Sequence, residues 1–413
     1  MSKTLIVIGG GAAGIFCAVN AARMNPALKV IVLEKSSKLL SKVKVSGGGR
    51  CNVTHACSDI NEIIKRYPSG QHFIKKAFHY FFTNDTIEWF NQRGVELKTE
   101  EDGRIFPVTD SSQTIIDCLL REANKYGVEI LMSCQVDKVE KLNSVFNLTT
   151  SDSRLLTADF ICIATGGYPK SSMFNWLKNL GHSIEEPVPS LFTFNLFNNA
   201  ITKLMGISVA DVRVKIIGSK LTAQGPILIT HWGLSGPAVL RLSAWGAREL
   251  AAQSYAFSVM VNWIPVFHEQ KLREKFQELR IENASQKVIS KHAFGLPQRL
   301  WEYIIKRSGI TENLRWADLS SKSQNALILN LTAMQFDVKG KTTFKEEFVT
   351  AGGIRLSEID PNTMQSKIIS NLFFAGEVMD VDGITGGFNF QHAWTSGFIA
   401  AKAISRNETK DTK

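Results

Sequence analysis

An α/β fold built on a parallel sheet is what this sequence predicts, and three observations carry that expectation. The apolar run Thr4 to Ile8 leads straight into Gly9-x-Gly11-x-x-Gly14, and a helix of small residues, Ala12 to Met24, opens on that turn. A second apolar run, Lys29 to Glu34, follows, so strand, helix and strand fit within 31 residues, the span of a right-handed βαβ unit. Glu34 stands 20 residues after Gly14, where an acidic side chain accepts hydrogen bonds from ribose hydroxyls. The three together predict a Rossmann-type, dinucleotide-binding unit.

Each element has its own reason. Lys3 followed by Leu5-Ile6-Val7-Ile8 has the look of a signal peptide, but the apolar stretch is too short and a glycine turn follows it, so it reads as a first strand. The glycines serve a tight turn, close approach of backbone to pyrophosphate, and close helix–strand packing. The helix that follows offers free N–H groups and a positive dipole end to phosphates. A carboxylate at Glu34 disfavours a 2′-phosphate, so NADP is not expected in this site. Pro26 lies just past the helix, and the unbroken apolar run after it is typical of a parallel strand covered on both faces. Further on, Phe78 to Arg93 and Ser112 to Tyr126 have helical periodicity, while Val128 to Met132 and Val136 to Val139 read as strands. Phe160 to Ala164 is another buried strand, closed by Thr165-Gly166-Gly167.

Near residue 187 the character changes, marked by Pro187 and Pro189. Strand-like stretches follow at Leu191 to Leu196, Val209 to Ile217, Ile227 to Thr230 and Tyr255 to Trp263. From His268 to about Gln335 the pattern is helical and charged, with Lys271 to Arg280 and Gln298 to Lys306 as its clearest parts. Phe336 to Val338 and Glu347 to Thr350 resemble returning strands; Asn371 to Ala375 is a buried strand, and a last helix runs from about Phe388 to Ile404. The simplest organisation is a discontinuous Rossmann-type domain (1–188 and 351–413) holding a β-rich insert (189–267 and 333–350). That insert in turn holds a small helical domain (268–332). The polar tail, Arg406 to Lys413, is expected to be disordered.

Composition narrows the class of function. With 44% hydrophobic and 21% charged residues the chain resembles an ordinary globular protein, and no apolar run approaches the ~20 residues that span a bilayer. Six cysteines without a CxxC pair argue against a zinc site or a disulfide scaffold, so no metal and a cytoplasmic location are expected. The net charge of +10 raises the question of nucleic acid. No nucleic-acid motif is present, and the densest basic stretch (Lys35, Lys38, Lys42, Lys44, Arg50) follows the dinucleotide motif, where one pyrophosphate accounts for it. A small-molecule substrate is therefore the leading partner, with no membrane and no nucleic acid; oligomeric state is not legible.

The fingerprint alone leaves NAD and FAD equally open, and three other segments separate them. Ala158 to Gly166, with Ala164-Thr165-Gly166 at its end, resembles the strand-then-ATG element that flavoproteins place beside the cofactor. Leu372 to Glu377 (LFFAGE) resembles the late strand whose Gly and acidic residue meet the flavin's ribityl chain. Gly386-Gly387 opens the final helix, whose dipole stabilises negative charge on a reduced flavin. The loop Ser46-Gly47-Gly48-Gly49-Arg50-Cys51-Asn52-Val53-Thr54 lets backbone press on a flat ligand. A redox disulfide between Cys51 and Cys57 is the sharper alternative, but five residues separate them where disulfide reductases have four, and a second GxGxxG is missing. A packed, inert Cys51 is the plainer reading.

With these segments in hand the chain resembles the BaiN-like family of FAD-dependent oxidoreductases over nearly its whole length. The marks are Val7–Gly14 (VIGGGAAG), Lys44–Thr54 (KVSGGGRCNVT), Ala164–Gly167 (ATGG), Thr230–Pro237 (THWGLSGP), Val349–Gly353 (VTAGG) and Phe374–Asn389. The resemblance implies an FAD domain, a β-barrel-like insert and a small helical insert, with chemistries from reducing conjugated double bonds to oxidising amines. Adenine-side binding is expected of Gly9, Gly11, Ala13, Gly14, Glu34, Lys35 and Val136. Flavin-side binding is expected of Gly49, Arg50, Cys51, Asn52, Gly376, Glu377, Asp380, Gly387, Phe388 and Asn389. For proton transfer His231 is the candidate, since a loop imidazole titrates in a useful range; a structural, turn-capping His is the alternative. The leading expectation is reduction of an activated C=C bond, with NAD(P)H as transient donor. An oxygen-using amine or amino-ketone oxidase is the alternative within enzymes; a flavin-containing RNA-modifying or RNA-binding protein, or a flavin sensor without turnover, is the alternative outside them.

Overall fold

Five short apolar runs assemble into one parallel sheet in the computed structural model, which describes residues 2–290, 294–343 and 349–407. The polar tail from residue 408 onward, and Glu347 and Phe348 of one expected strand, lie outside the described residues. The chain divides into two units, 1–190 with 344–413, and 191–343.

In the first unit the sheet order is Leu372–Phe374, Phe160–Ile163, Thr4–Ile8 (β1), Lys29–Leu33 (β2) and Glu129–Leu131, every neighbouring pair parallel. Leu5, Ile6 and Val7 are fully buried, which demands cover on both faces and explains the unbroken apolar runs. Helix Ala12–Met24 (α1) packs with helix Ser112–Lys125 and with the terminal helix Phe388–Asn407. An antiparallel meander, Val136–Leu142, Val145–Thr150 and Leu155–Ala158, packs against β1 and Phe160–Ile163. The stretch read as one helix from Phe78 to Arg93 is two, Gln71–Phe78 and Thr83–Asn91. The break falls where the Asp85 side chain accepts from the Phe82 N–H (2.6 Å) and starts a new helix.

The second unit is a seven-stranded sheet with helices. Its strand Ser208–Ile216 alternates after a register shift between Val209 and Val212: Val212, Val214 and Ile216 are buried while Arg213 and Lys215 are exposed. Its two edge strands, Met334–Lys339 and Lys341–Thr342, are separated by Gly340 alone, so the sheet must curl until its edges nearly meet. The helices Glu269–Glu282, Gln298–Arg307 and Ser321–Thr332 share one apolar core with the sheet, through Phe276, Trp301 and Leu331. Among the described residues no helix is long and apolar enough to cross a membrane.

Candidate functional site

The glycine turn after β1 separates steric need from open space. A Cβ on Gly9 would lie 2.3 Å from the Ala164 carbonyl oxygen, and one on Gly14 would lie 1.9 Å from the Gly9 oxygen. Both are therefore required by packing. Gly11, at the N-cap of α1 with φ −84°, has nothing among the described residues within 4 Å of its Cβ position. No side chain caps α1 and its first turn carries no acid, so this helix end suits an anion. Glu34 ties the turn to β2: its Oε2 accepts from Gly10 N (2.8 Å) and its Oε1 from Ser36 N (2.8 Å). Ser133 N donates to Ser36 O and Cys134 N to Glu34 O, so the chain entering Val136 runs beside Glu34 and Lys35. Lys35 Nζ stands 5.9 Å from the Tyr168 ring.

The loop at Gly47–Gly49 is left-handed throughout, with φ of 58°, 70° and 86°, and Gly48 and Gly49 face open space. Cys51 follows at φ 61°, an uncommon conformation for a residue with a side chain. It is closed by Cys51 N donating to Ser46 O (2.9 Å). Burial pushes its thiol up to about 12, which leaves it un-ionised and inert. Arg50 turns aside, its guanidinium 4.0 Å from the Phe106 ring centre and its Nη1 donating to Glu100 Oε1 (2.6 Å).

The next residues join the two ends of the chain. The Asn52 side-chain oxygen, oriented to suit its neighbours, accepts from Gly387 N (2.9 Å), while its nitrogen donates to Thr54 O (2.9 Å). Thr54 Oγ1 donates to Gln391 Oε1 (2.6 Å), Trp394 Nε1 to Val53 O (2.9 Å) and Tyr67 OH to Phe388 O (2.7 Å). The His55 and Phe388 rings stack at 4.9 Å. A Cβ on Gly387 would lie 2.6 Å from Thr54 O, so only glycine permits the approach. Asn389 braces the preceding turn through Gly383 N and O (2.8 Å each).

Gly376 is gripped from the terminal helix. Its N–H donates to Ser396 Oγ (2.9 Å) and its carbonyl accepts from His392 Nε2 (3.2 Å). Burial pushes the His392 imidazole down to about 4, so it is neutral at ordinary pH. Glu377 accepts from Thr350 N (2.9 Å) and pairs with Lys42 (2.6 Å). Asp380, half-buried, donates its N–H to Ile354 O (3.1 Å). The Thr350 hydroxyl is buried without a hydrogen-bond partner among the described residues, next to Gly167.

The first unit thus holds every expected site residue except His231. Ala164 reaches the glycine turn through its N–H to Ile8 O (2.9 Å), and Thr165 and Gly166 follow beyond the carboxyl end of that strand, where doubly wound sheets take their ligands. These residues fit FAD: an uncapped helix end for the pyrophosphate, and open space at Gly11, Gly48, Gly49 and Gly166. His231 lies on an exposed turn of the second unit, its ring 4.5 Å from that of Trp232. Thr230 Oγ1 caps this turn, accepting from the N–H groups of Trp232 and Gly233. Sequence reading missed Gln391, His392, Thr395 and Ser396, all buried. Their signal was present: two pairs of polar residues four apart among the apolar residues of the terminal helix.

Comparison with known proteins follows the same lines. The family described as HI0933-like protein Rossmann domain matches residues 3–403. The ribosomal RNA dihydrouridine synthase of Haemophilus influenzae is 30% identical over 414 residues, covering 97% of this chain and 98% of the relative. The 3-dehydro-bile acid delta(4,6)-reductase of Clostridium scindens is 27% identical over 408 residues, with 97% and 98% covered. Among solved structures, the 3-ketosteroid-delta4-(5alpha)-dehydrogenase of Rhodococcus jostii RHA1 superimposes with a TM-score of 0.51 at 14% identity, covering 97% of both chains. That likeness is one of fold.

Proposed function

The chain belongs to the HI0933-like protein Rossmann-domain family and is an FAD-dependent oxidoreductase; within that class we propose that it saturates a C=C bond conjugated to a carbonyl, drawing electrons from NADH or NADPH. One observation carries the reading. Two relatives aligned over 97% of this chain are named for different substrates, a bile acid and ribosomal RNA. The two names nevertheless describe one bond change, since Δ4 and Δ6 of a 3-keto steroid and C5=C6 of uracil are all conjugated to a carbonyl.

Bound FAD would supply the redox step, passing a hydride to the electron-poor carbon. The chain's own residues bind and orient it. The α1 N-terminus and Gly11 take the pyrophosphate, Glu34 with Lys35 and Val136 the adenosine end, and the 47–52 loop with Gly376, Gly387 and Asn389 the flavin end. The start of the terminal helix faces developing negative charge with its positive end. His231 is proposed to deliver the proton that the second carbon of the double bond needs.

The test reduces the flavin anaerobically and then admits oxygen as the competing acceptor. NADH or NADPH should bleach the flavin, and a 3-keto-Δ4,6-steroid or a uridine-containing RNA should restore its colour faster than dissolved oxygen does. Reduction by amines instead, with rapid oxygen consumption, would make the protein an oxidase. A second reading, that the reducible ring is a uracil within RNA, is favoured by the 30% identical relative and by the basic net charge.

A further inference from the structure

The basic charge is not spread over the molecule. Residues 191–343 carry 19 Lys and Arg against 10 Asp and Glu, a net of +9 of the chain's +10, while the first unit has 29 against 28. The flavin-site unit is thus nearly neutral, and the excess lies in a unit that supplies none of the cofactor-site residues identified above. A polyanionic partner, not the cofactor, is what such a concentration suits.

The same unit displays exposed aromatic rings and exposed cations. Phe197 is 66% exposed and Trp232 43%, with the His231 ring tilted against that of Trp232. Leu196 N donates to Trp232 O (2.8 Å), which brings the Phe197 and Trp232 turns together. From Asn199 the surface continues through Tyr303, whose hydroxyl accepts from Arg307 Nη1 (3.2 Å). Arg299 Nη2 donates to Lys203 O (2.9 Å), so its guanidinium lies against the Lys203 backbone. Lys203, Arg299 and Arg307 are exposed and none forms an ion pair among the described residues; Arg307 also donates to Asn330 Oδ1 (3.3 Å) and Gln335 O (3.2 Å), neutral acceptors that leave its charge uncompensated. Glu302, on the same helix, is engaged by Gln298 Nε2 (2.9 Å).

We propose that this face of the second unit is a docking surface for single-stranded RNA, with Lys203, Arg299 and Arg307 on phosphates and Phe197 and Trp232 under unpaired bases. Exposed rings together with cations distinguish this surface from one that would merely attract anions, because stacking needs the bases splayed from a duplex. The proposal rests on the RNA reading of the substrate and adds where the RNA is held.

The test uses the flavin-loaded protein and fluorescein-labelled oligouridine, with anisotropy read across a salt series. Lys203→Ala with Arg299→Ala should weaken binding at least tenfold at low salt. It should also reduce the slope of log K against log salt by about 1.4, at ~0.7 per phosphate contact on a single strand. Phe197→Ala should cost about tenfold with the slope unchanged. Lys75→Ala with Lys76→Ala, in the first unit, should change neither, and wild-type circular dichroism and thermal unfolding report that each variant is folded. Wild-type affinity in the Lys203/Arg299 variant overturns the proposal. So does binding to phosphatidylglycerol vesicles through the same two cations that oligouridine fails to displace. If a small enone is reduced but oligouridine never binds, the surface falls and the reductase reading stands. If oligouridine binds through these cations but no conjugated C=C is reduced, the surface stands and the reductase reading falls.

Discussion

Adding one methyl group at Gly11 should uncouple cofactor affinity from stability. Gly11 sits at φ −84°, ψ −171°, a conformation open to alanine, and its Cβ position has no neighbour within 4 Å among the described residues. In the cofactor-free protein Gly11→Ala should therefore unfold within about 1 kcal/mol of wild type, the entropy gained against glycine offsetting a poorer N-cap. The empty space is the point. If it receives the pyrophosphate, the methyl displaces one charge-assisted N–H···O bond, worth about 1.5–3 kcal/mol, and the Kd for FAD rises about ten- to 150-fold. Gly14→Ala is the contrast, because its Cβ would lie 1.9 Å from the Gly9 oxygen. There α1 must shift against backbone, and the cofactor-free protein should lose at least ~3 kcal/mol. Urea unfolding of the cofactor-free variants, paired with FAD titration followed by flavin fluorescence, reads both quantities. Wild-type FAD affinity in Gly11→Ala, or a loss of stability like that of Gly14→Ala, would refute the assignment of this space to the cofactor.

Four further outcomes follow from particular side chains. His392 is neutral in the fold because burial lowers it from 6.5 to about 4. Between those values the unfolded chain binds a proton that the folded chain does not, so up to about 3 kcal/mol of stability, present above pH 6.5, is lost as pH falls to 4; His392→Gln should flatten that slope in urea titrations. In the native protein at pH 8 only Cys57, partly exposed, should react with iodoacetamide, since the other five thiols are buried and Cys51 is pushed up to about 12; mass spectrometry showing Cys51 alkylated would contradict the inert assignment. Glu122→Ala should cost about 3–5 kcal/mol, because it strands the nearly buried Arg93 (2.8 Å from Glu122 Oε2), as thermal unfolding would register. His231→Gln should slow substrate reduction by about 10²–10⁴-fold while leaving flavin bleaching by the donor unchanged; equal rates in stopped flow would return His231 to its turn.

The βαβ unit was legible because its requirements are local. A strand covered on both faces needs a continuous apolar run, and a glycine that abuts backbone declares itself by spacing, as Gly9 and Gly14 do. The split of residues 78–93 into two helices was not legible, because one local hydrogen bond from Phe82 to Asp85 overrides a periodicity that runs through it. Arg50 illustrates the harder limit: its position in a distinctive loop says cofactor, but Phe106 and Glu100 compete for the same side chain.

What the sequence by itself determined was the class of fold, the order of the segments and the kind of ligand, all of which follow from spacing and residue type. Tertiary structure alone decided how Asn52 meets Gly387 and how His392 and Ser396 grip Gly376. Those choices depend on which distant surfaces pack together, and periodicity along a chain carries no record of separation in space.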